Sequence, residues 1–242
     1  MKRRHVLIIV MALAVLAGCM MPDGNPSQKD PEIRWPFDGV TVQKRTSPDV
    51  DAIPGSYRNW IDYSFESELV SFRDDGTLVS VPFDNLLSTA GFPRKEGTWS
   101  YDSERNTIRI TVGGETMESK VLTLTDNGRK TGFGYIDSNN HQVKFKKVSE
   151  GYIDLKIYSG RTFEGLYAAK DDYEEVYGWE FRKDGTAIHH TKERDSFRYT
   201  YKTNPDRALI KLIDAMGWED EYNYCLLDGY LYLNGKPYQK IR

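Results

Sequence analysis

One turn sequence occurs twice in this chain, and it constrains the fold more than any other feature. Residues 72–77 read Phe-Arg-Asp-Asp-Gly-Thr, and residues 181–186 read Phe-Arg-Lys-Asp-Gly-Thr. Asp and Gly tolerate positive φ, so an Asp-Gly pair suits the tight turn of a β-hairpin. A repeat of this kind predicts one strand-and-turn plan used twice.

Weaker echoes surround the repeated turn and set the limits of the two copies. Residues 53–57 (Ile-Pro-Gly-Ser-Tyr) are echoed by residues 163–167 (Phe-Glu-Gly-Leu-Tyr). Gly-Thr-Trp-Ser-Tyr at 97–101 aligns loosely with Phe-Arg-Tyr-Thr-Tyr at 197–201, and the copies close as Phe-Lys-Lys-Val and Tyr-Gln-Lys-Ile. We therefore predict one domain over 53–150 and a second over 161–242.

Alternation of apolar and polar residues predicts strands in both copies. Ile108, Ile110 and Val112 alternate with polar residues, as do aromatic residues over 177–181. Each copy offers seven or eight short strands, so the predicted fold is all-β, with two consecutive small antiparallel meander barrels. Residues 205–217 also fit helical spacing, but the strand at the equivalent place in the first copy favours a strand.

The combined pattern resembles the small lipocalin-like domains of bacterial lipoproteins. It consists of a Gly-x-Tyr start, the Phe-x-x-Asp-Gly-Thr turn, a Gly-Thr-Trp-x-Tyr strand and a last strand that ends in lysine. The resemblance covers most of 53–148 and 161–242, and it implies the fold rather than a particular activity. The second copy lacks the Gly-Thr-Trp triplet and about nine residues before it, so the two interiors need not be equivalent.

The N-terminus has the features of a secretion signal. A basic start, Lys-Arg-Arg-His at 2–5, precedes an uncharged apolar run that is too short to span a bilayer stably. Leu-Ala-Gly-Cys at 16–19 resembles the lipobox of bacterial lipoproteins, which implies a signal peptide over 1–18 and a lipid on Cys19. We therefore expect a lipid-anchored protein on the extracytoplasmic side of the cell membrane or the outer membrane.

Residues 19–52 are polar and rich in proline, which predicts a disordered, extended tether between the lipid and the first domain. Cys225 is the one cysteine left after Cys19, and its apolar neighbours predict a buried thiol. Acidic and basic residues are interspersed, with a formal net charge of −3, so we expect no nucleic-acid partner.

Aromatic side chains are the candidates for a ligand site inside the barrels. Small barrels are only just wide enough for side chains or one small ligand, so these residues either line a cavity or fill it, and copies of this size favour filling. The candidate ligand-binding residues are Tyr57, Trp60, Phe72, Trp99, Tyr101, Tyr167, Trp179, Phe181, Tyr199 and Tyr201.

The first copy carries an apolar insertion at 81–93 that the second copy lacks. Insertions of this kind cap a barrel end, cover a ligand mouth or meet a partner, and capping is the simplest of these roles. The candidate partner-binding residues are Phe83, Leu86, Leu87 and Phe92.

No catalytic motif, phosphate loop or metal-ligand spacing is present in the sequence, so we predict neither an enzyme nor a bound cofactor or metal. His189 and His190 are adjacent, and their rings are expected on opposite faces of a solvated strand. The predicted function is noncovalent binding of a small apolar ligand or an envelope protein. The alternative is a structural or inhibitory interaction module with solid barrels and no ligand.

Overall fold

The computed structural model describes residues 35–43, 48–61, 67–83, 94–154 and 164–242. These residues form two antiparallel β-units in chain order, as the sequence pattern predicts. No helix in these ranges is long and apolar enough to cross a membrane.

The first unit is a nine-stranded antiparallel sheet, curled so that one face surrounds an apolar interior. Its spatial order is β6-β5-β4-β3-β2-β1-β9-β8-β7, which leaves β6 and β7 at the edges. The strands are β1 Gly55–Ile61, β2 Ser67–Phe72, β3 Thr77–Phe83, β4 Lys95–Asp102, β5 Thr107–Val112, β6 Glu115–Lys120, β7 Leu122–Asp126, β8 Arg129–Ile136 and β9 Gln142–Ser149.

The second unit is a closed eight-stranded barrel in which each strand pairs with its neighbours in sequence and the last strand pairs with the first. The strands are β10 Gly165–Lys170, β11 Val176–Phe181, β12 Thr186–His190, β13 Ser196–Asn204, β14 Leu209–Ile213, β15 Glu219–Leu227, β16 Tyr230–Leu233 and β17 Lys236–Lys240. The prediction of a strand within 205–217 is confirmed: a short 3-10 turn at Pro205–Arg207 leads into β14. The prediction of an all-β chain with two consecutive antiparallel barrels is confirmed: the second unit is a closed barrel, and the first is a curled half-barrel whose sheet stays open.

Matched hydrogen bonds confirm that the two units share one plan. The amide of Trp99 donates to Gly76 O at 2.8 Å, and the amide of Tyr201 donates to Gly185 O at 2.7 Å. Trp99 is therefore the counterpart of Tyr201, and the loose sequence alignment of 97–101 with 197–201 is wrong by two residues. The aromatics at alternate positions of β13 make both alignments look plausible in sequence, whereas the turn hydrogen bond admits only one.

The open seam of the first unit follows from one break in a strand. In the second unit β15 pairs with β14 through Glu219–Asn223 and with β16 through Tyr224–Leu227. In the first unit β6 pairs with β5 and β7 pairs with β8, with only Val121 between them. The amide of Val121 bonds Asn106 O at 2.9 Å, as that of Tyr224 bonds Ala208 O at 2.9 Å, so β6 and β7 together correspond to β15.

A lysine from the last strand lies over a tyrosine of the first strand in both units. Lys147 Nζ is 5.9 Å from the Tyr57 ring centroid, and Lys240 Nζ is 5.9 Å from that of Tyr167. Lys147 is buried, and its ammonium group contacts Glu150 at 2.7 Å, which offsets the cost of removing its charge from water. The predicted match of the two closing strands is thereby confirmed.

The two units share a hydrophobic core. Leu69, Val79, Val81 and Phe83 belong to the same buried cluster as Cys225 of the barrel, while their chain neighbours Val70, Phe72 and Leu78 face the first interior. Strands β2 and β3 are therefore buried on both faces. Backbone bonding joins the units too, since the amide of Asp154 donates to Leu226 O at 2.9 Å.

Cys225 is fully buried in this shared core, as predicted, and burial raises the pKa of its thiol. Phe83 also lies in this core, and a side chain added at Gly235 would meet the Phe83 ring at 2.7 Å. Glycine at 235 thus allows the β16–β17 turn to approach the first unit.

Part of the predicted tether packs on the second unit. Phe37 is 3% exposed and clusters with Leu166 and Ala168 on the outside of the barrel, and Trp35, Val40 and Val42 pack around it. We call residues 35–43 the strap. The polar, proline-rich composition of 19–52 predicts a tether in which only Trp35-Pro36-Phe37 is apolar enough to dock locally, and the strap buries apolar side chains against the barrel at this point.

Candidate functional site

The candidate aromatic residues divide between the interiors of the two units. Tyr57 and Phe72 are buried in the first, and Tyr167, Trp179, Phe181 and Tyr201 are buried in the second. Trp99 and Tyr199 are partly buried against those cores. Tyr101 is 41% exposed and does not join them.

Aromatic rings fill the second interior in layers. Trp179 stacks on His189 with ring centroids 4.4 Å apart and on Phe181 at 5.9 Å, and it lies 5.7 Å from Tyr199. The Tyr201 ring packs edge-on against Phe181 at 5.3 Å. In the second unit, aromatic side chains thus fill the barrel, as we expect for copies of this size.

The first interior contains a cavity of about 670 Å³, within the range of small-molecule sites. Its apolar lining includes residues of five strands, β2, β3, β5, β6 and β9: Val70, Phe72, Leu78, Ile110, Met117 and Phe145. The cavity reaches the edge strand β6 and the end of β8, where the sheet is open. The expectation that both barrels are filled therefore does not hold for the first.

The shared turn allows the two interiors to be compared position by position. Phe72 pairs with Leu78 across the first turn, and Phe181 pairs with Ala187 across the second. Two residues further along, the first unit pairs Val70 with Ser80. At that place the second unit pairs Trp179 with His189. Two ring systems of the second unit are thus replaced by a valine and a serine.

The neighbouring strands repeat this substitution. Leu78 pairs with Gly97 and Ser80 with Lys95 in the first unit. Ala187 pairs with Tyr199 and His189 with Phe197 in the second. On the other side, Asn59 and Glu68 pair where Ala169 and Tyr177 do. The cavity therefore occupies space that aromatic side chains take up in the second copy.

A small polar cluster lies on one wall of the cavity. Glu68 Oε2 accepts a hydrogen bond from Ser80 Oγ at 2.8 Å, and Glu68 Oε1 accepts one from Lys95 Nζ at 2.9 Å. Asn59 is the fourth member, and its buried Oδ1 receives no hydrogen bond from any described residue. A buried acceptor without a donor is costly, so a bound group that supplies a donor would be favoured here.

Carboxylates surround the mouth of the cavity. Glu115, Glu118 and Asp137 line it, and Glu118 is paired with Arg109 at 2.5 Å. Burial, followed by the nearby charges of Asp137 and Glu68, raises the pKa of the Tyr135 hydroxyl to about 12. Tyr135 is therefore neutral and able to donate a hydrogen bond at any physiological pH.

Longer strands also deepen the first interior. Strands β8 and β9 have eight residues each, whereas their counterparts β16 and β17 have four and five. The extra length brings Tyr135, Ile136 and Asp137 to the cavity mouth. The cavity thus depends both on the smaller inward side chains of the first unit and on the greater length of β8 and β9.

No model of a known protein family matches this chain, and no curated protein resembles it in sequence. The second copy within the chain is therefore the structure with which the cavity of the first copy is compared.

Several predicted positions lie elsewhere. Phe83, a candidate for partner binding, is 3% exposed and packs within the chain between the two units. Cys19, Leu86, Leu87 and Phe92 fall outside the described residues, and Trp60 is described only as a backbone position of β1.

The histidine pair has the predicted alternation, but the expectation of a solvated strand is wrong. His189 stacks on Trp179 inside the barrel, while His190 faces the strap, 5.8 Å from Trp35 and 5.5 Å from Phe37. Burial lowers the pKa of each imidazole to about 4. Within the described ranges, no three His, Cys, Asp or Glu side chains are placed to hold a metal ion.

The polar residues of the cavity were not identified from the sequence. Asn59, Glu68, Ser80 and Lys95 look like solvent-facing positions of half-buried strands. The sequence does contain a signal for three of them, because they align with ring-bearing residues of the second copy. Counted from the two Asp-Gly turns, Glu68 aligns with Tyr177 and Ser80 with His189, and Lys95 aligns less directly with Phe197. That comparison requires the strand register, which the sequence alone did not fix.

Proposed function

We propose that this chain is a binding protein that holds one small, partly apolar ligand in the cavity of the first unit. The observation that supports this most directly is the contrast between the cavity and the aromatic filling at the same positions of the second unit. A side chain such as tryptophan fits this plan, as Trp179 shows, and yet the first unit has Val70 there.

We also propose that the protein works outside the cytoplasm, anchored to a membrane by a lipid on Cys19. The lipobox-like sequence at 16–19 and the preceding apolar run support this. Replacing Cys19 by Ser should release the protein from membranes into the soluble fraction. Retention of the Cys19→Ser protein in washed membranes would contradict the lipid anchor.

Ligand binding is tested on the full chain with Cys19→Ser, which keeps the folded part unchanged. The probe is N-phenyl-1-naphthylamine, a neutral aromatic molecule whose fluorescence rises in apolar surroundings. We expect saturable binding of one probe per chain. Native mass spectrometry of the same protein should show a co-purified small molecule, or one equivalent of added probe.

The decisive variant is Val70→Trp, which gives the first unit the residue found at the equivalent place in the second. The added indole should obstruct the cavity beside Phe72 and strongly weaken probe binding. Arg58→Trp is the matched control, because Arg58 is exposed on the neighbouring strand β1. Equal probe binding by both variants and the parent would place the probe elsewhere and overturn the proposed site. Circular dichroism checks that both variants keep the β fold, and Val70→Phe provides a milder filling substitution.

A second candidate function, protein interaction, is favoured by one feature of the second unit. Its β10–β11 and β14–β15 hairpins expose Tyr173 (82%), Met216 (62%) and Trp218 (72%) at their turns. Exposed aromatics of this kind occur at protein interfaces. Two results together would favour this function over ligand binding. The cavity would bind no probe, and the protein would capture an envelope protein in a way that depends on Trp218.

A further inference from the structure

We infer that the ligand of this cavity is an aromatic ring system that carries a protonated amine. This inference rests on the proposed function and specifies its ligand class. Three features of the first interior point to it: the shape left by missing aromatic side chains, an acceptor that has no donor, and an excess of carboxylates.

The shape argues for flat rings. The residues that take up the equivalent space in the second unit include Trp179, Tyr177 and Tyr199, all of them aromatic. Phe72 and Phe145 remain in the first unit, with ring centroids 5.4 Å apart in an edge-to-face arrangement, and both line the cavity. Aromatic faces and edges exposed to a cavity favour another ring over a flexible alkyl chain.

The polar wall argues for a donor on that ring system. Asn59 lines the cavity, and its Oδ1 is buried and accepts no hydrogen bond from the described residues. Glu68 is its cross-strand partner in the β1–β2 pairing. An N–H group placed between these two side chains would satisfy the amide oxygen and contact a carboxylate. A ligand with acceptors only would leave Asn59 Oδ1 without a partner.

The charges argue that the donor is cationic. Among the described residues, four carboxylates line the cavity, those of Glu68, Glu115, Glu118 and Asp137, against one ammonium group, that of Lys95. Lys95 pairs with Glu68, Arg109 pairs with Glu118, and the His141 ring lies 3.6 Å from Asp137. Within the part of the chain that the structure describes, the carboxylates of the lining therefore still outnumber the lysine and arginine side chains that pair with them. Asp137 receives backbone N–H bonds from Asn139 and His141, which hold its carboxyl group in place at the mouth. Such a mouth attracts cations and repels anions.

The test compares two probes with the same ring and opposite charge, tryptamine and indole-3-propionate. Binding to the full chain with Cys19→Ser is measured by isothermal titration calorimetry at low ionic strength. We expect tryptamine to bind at least about tenfold more tightly, because a charge-assisted hydrogen bond is worth at least this factor. Glu68→Gln and Asn59→Leu should each remove most of that preference.

Controls separate the ligand class from the cavity itself. Glu104→Gln changes an exposed carboxylate in the β4–β5 turn and should leave the tryptamine preference intact. N-phenyl-1-naphthylamine should bind the Glu68→Gln and Asn59→Leu proteins as it binds the parent, which shows that their cavities are formed.

Two outcomes overturn the inference, and they differ from failure of the proposed function. If the neutral probe binds but tryptamine shows no advantage over indole-3-propionate, the ligand class is wrong while the binding site stands. The same conclusion follows if Glu68→Gln keeps the full preference. If no probe binds the parent chain, and native mass spectrometry finds no bound molecule, the binding function itself is overturned.

Discussion

The two units begin with the same turn and close with the same lysine over a tyrosine, but their interiors differ. The second has aromatic rings at Trp179, His189 and Tyr199, where the first has Val70, Ser80 and Gly97. The backbone plan is therefore compatible with both a filled and a hollow interior. Whether the interior is filled or hollow is decided by the inward side chains and by the length of the last two strands.

This contrast assigns different roles to equivalent positions. In the second unit large rings supply buried apolar area that stabilises a small barrel. In the first unit part of that area is missing, and its place is taken by the cavity and a hydrogen-bonded polar cluster. The first unit also gains apolar contact on its outer face, through the core shared with the barrel.

The largest expected effect is on the filled interior. Trp179→Ala should lower the free energy of unfolding by about 3–5 kcal/mol, since it leaves a void among packed rings. Val70→Ala at the equivalent position should cost only about 1–2 kcal/mol, because it removes two methyl groups that already border a cavity. Urea denaturation followed by far-ultraviolet circular dichroism measures both.

Ala168→Gly is a control for Trp179→Ala. It removes one buried methyl group from the outer face of β10 and so leaves the packed rings inside the barrel in place. Similar losses for Trp179→Ala and Val70→Ala would mean that the two interiors are packed alike, and that the second is not filled at the expense of a cavity.

Counted per side chain, an intermediate effect on stability is expected from pH, and it belongs to the second unit. His189 and His190 have pKa values lowered to about 4, below the unfolded value near 6.5, so the unfolded chain binds protons first as the pH falls. Their contribution to stability is therefore complete above pH 6.5 and is lost progressively towards pH 4. We expect a loss of about 2–3 kcal/mol for each imidazole.

Hydrogen exchange at pH 7 and pH 4.5 should show this loss first in β12 and in the strap, which both contact these rings. His190→Leu should reduce the pH dependence, because it removes one of these two imidazoles. A uniform loss over both units would show that other groups dominate the acid response.

The smallest effect on the free energy of unfolding concerns a hydrogen bond to a backbone carbonyl that the two copies make with different side chains. Tyr201 Oη donates to Arg182 O at 3.0 Å, and Trp99 Nε1 donates to Arg73 O at 2.9 Å. Tyr201→Phe and Trp99→Phe should each lower the free energy of unfolding by about 1 kcal/mol for the lost bond. Trp99→Phe also removes ring area, so its measured loss should be somewhat larger. An unchanged midpoint for Tyr201→Phe would show that the hydroxyl has no structural role.

Much of the fold was predictable because turns have local signatures. The Asp-Gly turns, the alternation in β5 and β11 and the strand at Leu209–Ile213 were all identified from sequence. The equivalence of 97–101 was misaligned because β13 has aromatics at 197, 199 and 201, and any of them resembles Trp99. Only a long-range hydrogen bond distinguishes among them.

The cavity and the shared core were not predictable for a related reason. Both depend on which strands lie opposite one another, which the sequence specifies only through distant contacts. Leu69, Val79 and Val81 look like one strand face among many until the second unit is placed against them. Glu68 and Lys95 are 27 residues apart, and nothing local indicates their ion pair.

The strap determines which part of the molecule would carry a mechanical load. Trp35 and Phe37 fasten the N-terminal end of the described chain to the outside of the second barrel, although the first unit follows next in sequence. A pull on that end, from whatever it is attached to, would be borne by the solid barrel before it reached the hollow sheet. The hollow sheet would thus be shielded from tension, and its shape would not depend on how tightly the N-terminus is held.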